Sequence, residues 1–486
     1  MATRPSAAVR PALLSERDRH LVSRFSFGLD EDLVATVRTT GSRAWFSSQL
    51  TPAAVPDPRG DALEAWWPRL AHTPQQAWGE VRADRASAWD YGLSLTEHAL
   101  TRKIVTSRQV AEVMHDFWSN LLYVPAYEDR SFPWRHDYER TLRSLALTSF
   151  RRLLRAAVVH PAMSGWLTND SNTKRGINEN LGRELLELFT VGRPAGYGEE
   201  DVRNAARLLT GYRVKVFDTF EAFYSPADHW TGKVTVLGFT HANADPDGRA
   251  ALAALLDHLA LHPATARRIA HRLCVRFVGD DPPASLVAAV ERAYRVSRSS
   301  VRTTLTALRT HPAFLASQRA RLRTPIEDTV ASLRAVGVQP SRPTSDASLA
   351  RSLVWMTEEV GQHQYRWPRP DGFPESAATW TSPARMLASW QMHYAVAGNW
   401  WGAKDQVRPT AAQVLPTTFP LTLAELVEHQ SRVLLGTSAH PATTATVATM
   451  LGRPATHSFR TVTDVDDWTL TVVRGTVLNA PEGMLR

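Results

Sequence analysis

The sequence predicts an all-α fold, with a main helical domain over residues 1–340 and a C-terminal helical subdomain over residues 341–486 packed on it. Three observations predict this. Apolar residues recur at i, i+3, i+4 and i+7 along most of the chain, as in Val110, Val113, Met114, Phe117 and Leu121. Thirty prolines punctuate 486 residues, many of them where a helical pattern begins. Only Tyr212–Phe217 and Lys233–Leu237 are rich enough in β-branched residues to read as strands, which gives one small β-hairpin near 212–237.

The elements follow in order. Residues 1 to 12 read as loose. Ser15 to Asp18 fits a helix-capping pattern and starts a helix toward Phe27-Gly28. Helical patterns cover 30–39 and 41–50, and a proline-rich loop covers 52–60. The period is helical from Arg85 to Tyr123 and again over 136–158, ending before Pro161. The polar loop Thr168 to Asn172 leads into a charged central helix, Asn178 to Glu187, which ends near Gly192. A helix from Glu199 to Thr210-Gly211 precedes the strands. Further helices are expected at 247–261, 263–278, 284–295, 299–310, 324–336 and 347–360. They are interrupted by a Pro/Ser connection at 339–345 and followed by a Trp/Pro-rich loop at 366–382.

Composition narrows the function. Hydrophobic residues make up 43% and charged residues 21%, as in ordinary globular proteins. The formal charge is +8, but the arginines are spread among acids instead of forming a stripe, which argues against a nucleic-acid interface. The densest group, Arg267, Arg268, Arg272 and Arg276, reads as one solvated helix face. Cys274 is the only cysteine and sits among apolar neighbours, as a small core residue would. The first residues lack a signal-peptide pattern and no apolar run is long enough to span a membrane, so a soluble cytoplasmic protein is expected.

Several motifs stand in a fixed order along the chain: Phe25-Ser26-Phe27-Gly28, Asp116-Phe117-Trp118-Ser119-Asn120 and His160-Pro161-Ala162-Met163, then the run from Asn178 through Leu188. After these come Leu209-Thr210-Gly211-Tyr212, His229-Trp230-Thr231-Gly232, Arg323-Thr324-Pro325-Ile326-Glu327-Asp328 and Asn479-Ala480-Pro481-Glu482. In these motifs the chain resembles the bacterial family called domain of unknown function 1800. The resemblance implies no common activity. It implies a partner protein encoded by a neighbouring gene, and export for many members. The chain departs from relatives that carry histidine where it has Leu121 and Phe189.

The central run is the main candidate for chemistry. On an α-helix Glu179, Arg183 and Glu187 share a face, and Asn180, Glu184 and Glu187 share a second. An arginine can hold one carboxylate ionised, while a carboxylate against apolar walls keeps its proton and serves as a general acid. Equally, Arg183 clamping Glu179 and Glu187 would be a structural network. His229, in a loop, is the candidate partner base. Trp118, Asn120, Asn178 and Asn180 are candidate binding residues, and Trp367 and Trp380 could line an aromatic groove. His258 and His262 lack the glutamate of a metalloprotease helix, the 243–248 loop lacks a calcium-binding glutamate, and no glycine loop cradles phosphate. No metal or cofactor is therefore expected. Two functions follow: a carboxylate-based hydrolase or lyase acting on a glycan-like or polymeric substrate, or a non-catalytic assembly or binding partner of the neighbouring gene's product.

Overall fold

The computed structural model describes residues 12–486; the expectation for residues 1 to 12 falls almost wholly outside them. The fold is all-α, with small two-stranded antiparallel sheets only. One apolar core runs from Leu21 through Leu478. The helix Pro383–Gly398 packs along Asp467–Asn479 and against Pro325–Ala335, and Leu349–Glu359 lies on Ala88–Val105. These contacts join the chain after residue 340 to the helices before it.

Helix starts follow local chemistry. The Ser15 hydroxyl accepts the Asp18 N–H at 3.1 Å and begins Glu16–Arg24. Four helices begin with His-Pro-Ala: in each, Nδ1 of His160, His262, His311 or His440 accepts the N–H two residues on at 3.2 Å. Proline suits the first helical turn, where its missing N–H would have no partner. Such a cap needs an unprotonated Nδ1.

Three sequence expectations are refined. The helical period from Arg85 to Tyr123 is two helices, Ala88–Val105 and Gln109–Leu121. The break is held by Asp57, whose carboxylate accepts the Thr106 hydroxyl at 2.5 Å and the Ser107 N–H at 2.9 Å. The period over 136–158 likewise divides, into Phe132–Leu145 and Phe150–Val158. The single hairpin is two: Tyr212–Val214 pairs with Ala222–Tyr224, and Val234–Val236 with Phe239–His241. The second turns through Leu237 and Gly238, both at positive φ (46° and 81°), which is the geometry of a two-residue hairpin turn.

The larger correction concerns charge. Arg276 is no part of a solvated face. Its side chain is 3% exposed and meets Asp116 at 2.9 Å, Glu375 at 3.0 Å and Glu327 at 3.1 Å. Arg321 bridges Glu327 at 2.6 Å and Glu375 at 3.2 Å, Arg486 reaches Glu327 at 2.5 Å, and the buried Lys103 lies 3.2 Å from Asp116. A second buried cluster sits alongside. Glu139 is held by Arg135 at 2.7 Å, Arg143 at 3.2 Å and His115 at 2.9 Å, and the Tyr365 hydroxyl donates to it. Burial alone would raise the Glu327 and Glu139 carboxyls, but the cations around them hold both well below the ordinary range.

Candidate functional site

The central run begins as predicted and then changes pitch. Asn180–Glu184 is α-helical, but Leu185–Phe189 is a π-turn. Gly192 N–H reaches the Leu186 carbonyl at 2.8 Å and the Thr190 hydroxyl reaches the Leu185 carbonyl at 2.5 Å, closing the run. Gly182 lets the run lie against Glu199–Leu208: a Cβ there would stand 2.9 Å from the Ala206 nitrogen. The wider pitch separates Glu187 from the face that a regular helix would give it with Glu179 and Arg183.

The ion pairs follow that geometry. Arg183 does not clamp Glu187. It grips Glu199 with two nitrogens at 2.9 and 2.7 Å and touches Glu179 at 3.4 Å. Glu179 is also held by Arg203 at 3.1 Å. Glu187 pairs with Arg193 at 2.7 Å, with the Tyr197 hydroxyl 3.4 Å away. Glu184 stands apart. It is half-buried and forms no ion pair or hydrogen bond among the described residues. Burial, then the negative charge of Glu187, raise its pKa above the ordinary value, and Asp371 adds to the rise.

Asp371 belongs to the Trp/Pro-rich loop, and its charge reaches Glu184 of the central run. The helix Pro263–Phe277 lies between them and supplies an arginine row. Arg268 donates to the Leu188 carbonyl at 2.9 Å, closing off the π-turn. Arg272, one turn on, is lowered to about 10 by burial against the pull of Glu375, and Asp371 faces it as well. Arg276, a further turn on, enters the buried cluster. Only Arg267 of the four is exposed.

Under the same loop is a narrow cavity lined by Asp116, Asn120, Tyr123, Gln364, Tyr365 and Glu375, among others. Asn120 holds the loop by its backbone: its Nδ2 donates to the Phe373 carbonyl and its Oδ1 accepts the Phe373 N–H, both at 2.7 Å. Gly372 is required there, since it sits at φ 71° and a Cβ would lie 2.1 Å from the Asn120 carbonyl oxygen. Replacing Asn120 by alanine removes both bonds. It should cost about 1–3 kcal/mol and speed protease cleavage within 366–380, measured against the parent under native conditions.

The remaining predicted residues have partners within the fold. Trp118 is enclosed, with its indole N–H on the Ala146 carbonyl at 2.9 Å. Asn178 Nδ2 donates to Thr168 and Ser171, all at 3.0 Å, and Asn180 Nδ2 donates to the Leu167 carbonyl at 3.2 Å. Trp367 donates to Asp371 at 2.8 Å and packs on Phe373, with centroids 4.9 Å apart. Trp380 is buried and donates to the Pro374 carbonyl at 3.0 Å. His229 is buried too, bonded to Thr210 and Asn243 at 3.1 Å and to none of the central carboxylates. His258 faces the Leu237 carbonyl at 3.0 Å. Leu121 and Phe189 are both core residues. Sequence reasoning missed Glu375 and misread Arg276. The signal for Arg276 was present, because it falls on the apolar stripe Ala266, Ile269, Leu273 and Phe277.

An all-α protein with a carboxylate and arginine site between its central helix and an aromatic loop is the class that fold and site define. The chain belongs to the DUF1800 family, proteins of unknown function, whose model matches residues 20–485. No curated protein and no solved structure matches it. No helix among the described residues is long and apolar enough to cross a membrane.

Proposed function

We propose that the chain is a carboxylate-based hydrolase or lyase acting on a glycan-like or polymeric substrate, with Glu184 as its general acid. The carrying observation is the asymmetry within one helix: Glu179 and Glu187 are paired with arginines, and Glu184 is not. Burial and the charge of Glu187 favour the protonated form of Glu184, the form that can donate to a leaving oxygen, while a neighbouring carboxylate such as Glu187 or Asp371 would accept a proton in turn. Arg272, whose charge is felt by Glu375 and Asp371, would bind an acidic group of the substrate.

The test is Glu184→Gln, which keeps the shape and removes the proton. The purified chain is incubated with a panel of neutral and acidic polysaccharides, and new reducing ends and the ultraviolet absorbance of unsaturated products are followed. Activity should fall by about 100-fold or more, with an unchanged melting temperature. Product formation undiminished in Glu184→Gln, or no product from any polymer, counts against the proposal.

A second reading, assembly with a partner protein, is favoured by one surface feature. Trp400 and Trp468 are exposed, and Tyr394, Trp400 and Trp468 form a near-parallel row with centroids 6.1 and 6.2 Å apart. Such exposed aromatics are the residues that anchor interfaces.

A further inference from the structure

Far from the central helix along the sequence, the helices Glu31–Thr40, Leu423–Leu435 and Asp467–Asn479 surround a cleft of about 1570 Å³, its mouth included. One wall is apolar, formed by Val34, Val336, Val414 and Leu415 among others, and Arg408 and Arg474 are among the charged residues that line the rest. Neither Glu184, Arg272 nor Asp371 lines it.

The two arginines lack the carboxylate partner that most of the deeply buried cations of the central clusters possess. Arg135, Arg276 and Arg321 are buried, and each holds a carboxylate. Arg474 is 5% exposed, yet its polar contact is one bond from Nη2 to the Val336 carbonyl at 3.2 Å, and its Nε is buried without a partner. Arg408 is half-buried and donates to the Val396 carbonyl. Neither forms an ion pair with a carboxylate among the described residues, and residues 1 to 11 contain no acidic side chain. After burial, the influence on Arg474 is Arg408 itself, a charge of the same sign. Asp30 and Glu31 also line the cleft, but Arg334 holds Asp30 at 2.5 Å, and Glu31 is exposed and pairs with neither arginine. Two like charges, one of them buried, that no carboxylate pairs directly are costly to keep. An anion between them would remove that cost and satisfy the orphaned N–H.

We infer that this cleft is a binding site for an amphiphilic anion, whose oxyanion head sits between Arg408 and Arg474 and whose apolar body lies along the Val34, Val414 and Leu415 wall. The head is a carboxylate or a phosphate monoester, since both match a guanidinium's paired donors.

Calorimetric titration of the full chain with octanoate, octyl phosphate, 1-octanol, octyltrimethylammonium and acetate tests this. Octanoate or octyl phosphate should bind one molecule per chain, and the tighter of the two identifies the head. The alcohol, the cation and acetate should each bind at least about tenfold more weakly, as should octanoate or octyl phosphate to Arg408→Gln. Val433→Gln, a neutral change at the exposed edge of the cleft, should weaken binding through the wall alone and serves if Arg408→Gln fails to fold. Octanol or acetate binding as tightly as octanoate and octyl phosphate, binding unchanged in both variants, or no binding of either anion overturns the inference.

Discussion

Arg276→Met should cost about 3–5 kcal/mol of stability, among the largest losses any single substitution here will produce. The guanidinium stands among Asp116, Glu327 and Glu375, all within 3.1 Å. Methionine fills much of the volume but leaves those largely buried carboxylates with fewer cations. Arg321 and Arg486 still hold Glu327, so the loss is set mainly by Asp116 and Glu375, which keep Lys103 and Arg321 respectively. Urea unfolding at neutral pH measures it. Adding Glu375→Gln to Arg276→Met should restore part of the loss, because the charge left uncompensated is then gone. A loss below about 1 kcal/mol, the range of an exposed ion pair, would contradict the burial of this cluster.

The second large effect is with pH. His20 is lowered to about 4, by burial first and then by the neighbouring Arg24. His98 lies well below its ordinary value through burial and Arg143, and burial also lowers His160 and His262, two of the helix caps. These imidazoles are neutral in the folded chain and protonate at about pH 6.5 in the unfolded one, so the unfolded state takes up more protons as pH falls. Stability should therefore be complete above about pH 6.5 and decline from there toward about pH 4, with His20 alone worth about 3 kcal/mol. Glu112, Glu139 and Glu327 act lower down. Their folded values are depressed, so their contribution is present above about pH 4.5 and is lost as pH falls further. Denaturant melts at a series of pH values and constant salt should show two successive declines. A flat profile between pH 7.5 and 5 would contradict the histidine assignment.

Helical periodicity made most elements legible, because packing one face of a helix leaves a repeating apolar mark. What it did not show is where a helix breaks. Thr106 to Arg108 carries no proline or glycine, and the break there is set by Asp57, about fifty residues upstream. The central helix was legible as a cluster of charges but not in its pairing, because the π-turn after Glu184 redirects Glu187 and Arg183 finds Glu199 instead. Buried charge was the least legible. Lys103 and Arg276 look like surface residues by type, and only their register with apolar neighbours places them inside.

The buried ring around Glu327 also fixes when folding can finish. Arg486 reaches Glu327, and its guanidinium donates as well to the Ser23 and Ser26 carbonyls at 3.3 and 3.1 Å, across 463 and 460 residues. During synthesis the first helices emerge long before that partner exists. Glu327 already has Arg276 and Arg321 by the time Arg486 emerges, but this third cation comes late, and contacts of such span slow the search for the native arrangement. The ring around Glu327 thus joins the first helices to a residue at least 460 positions later, so it closes late in folding.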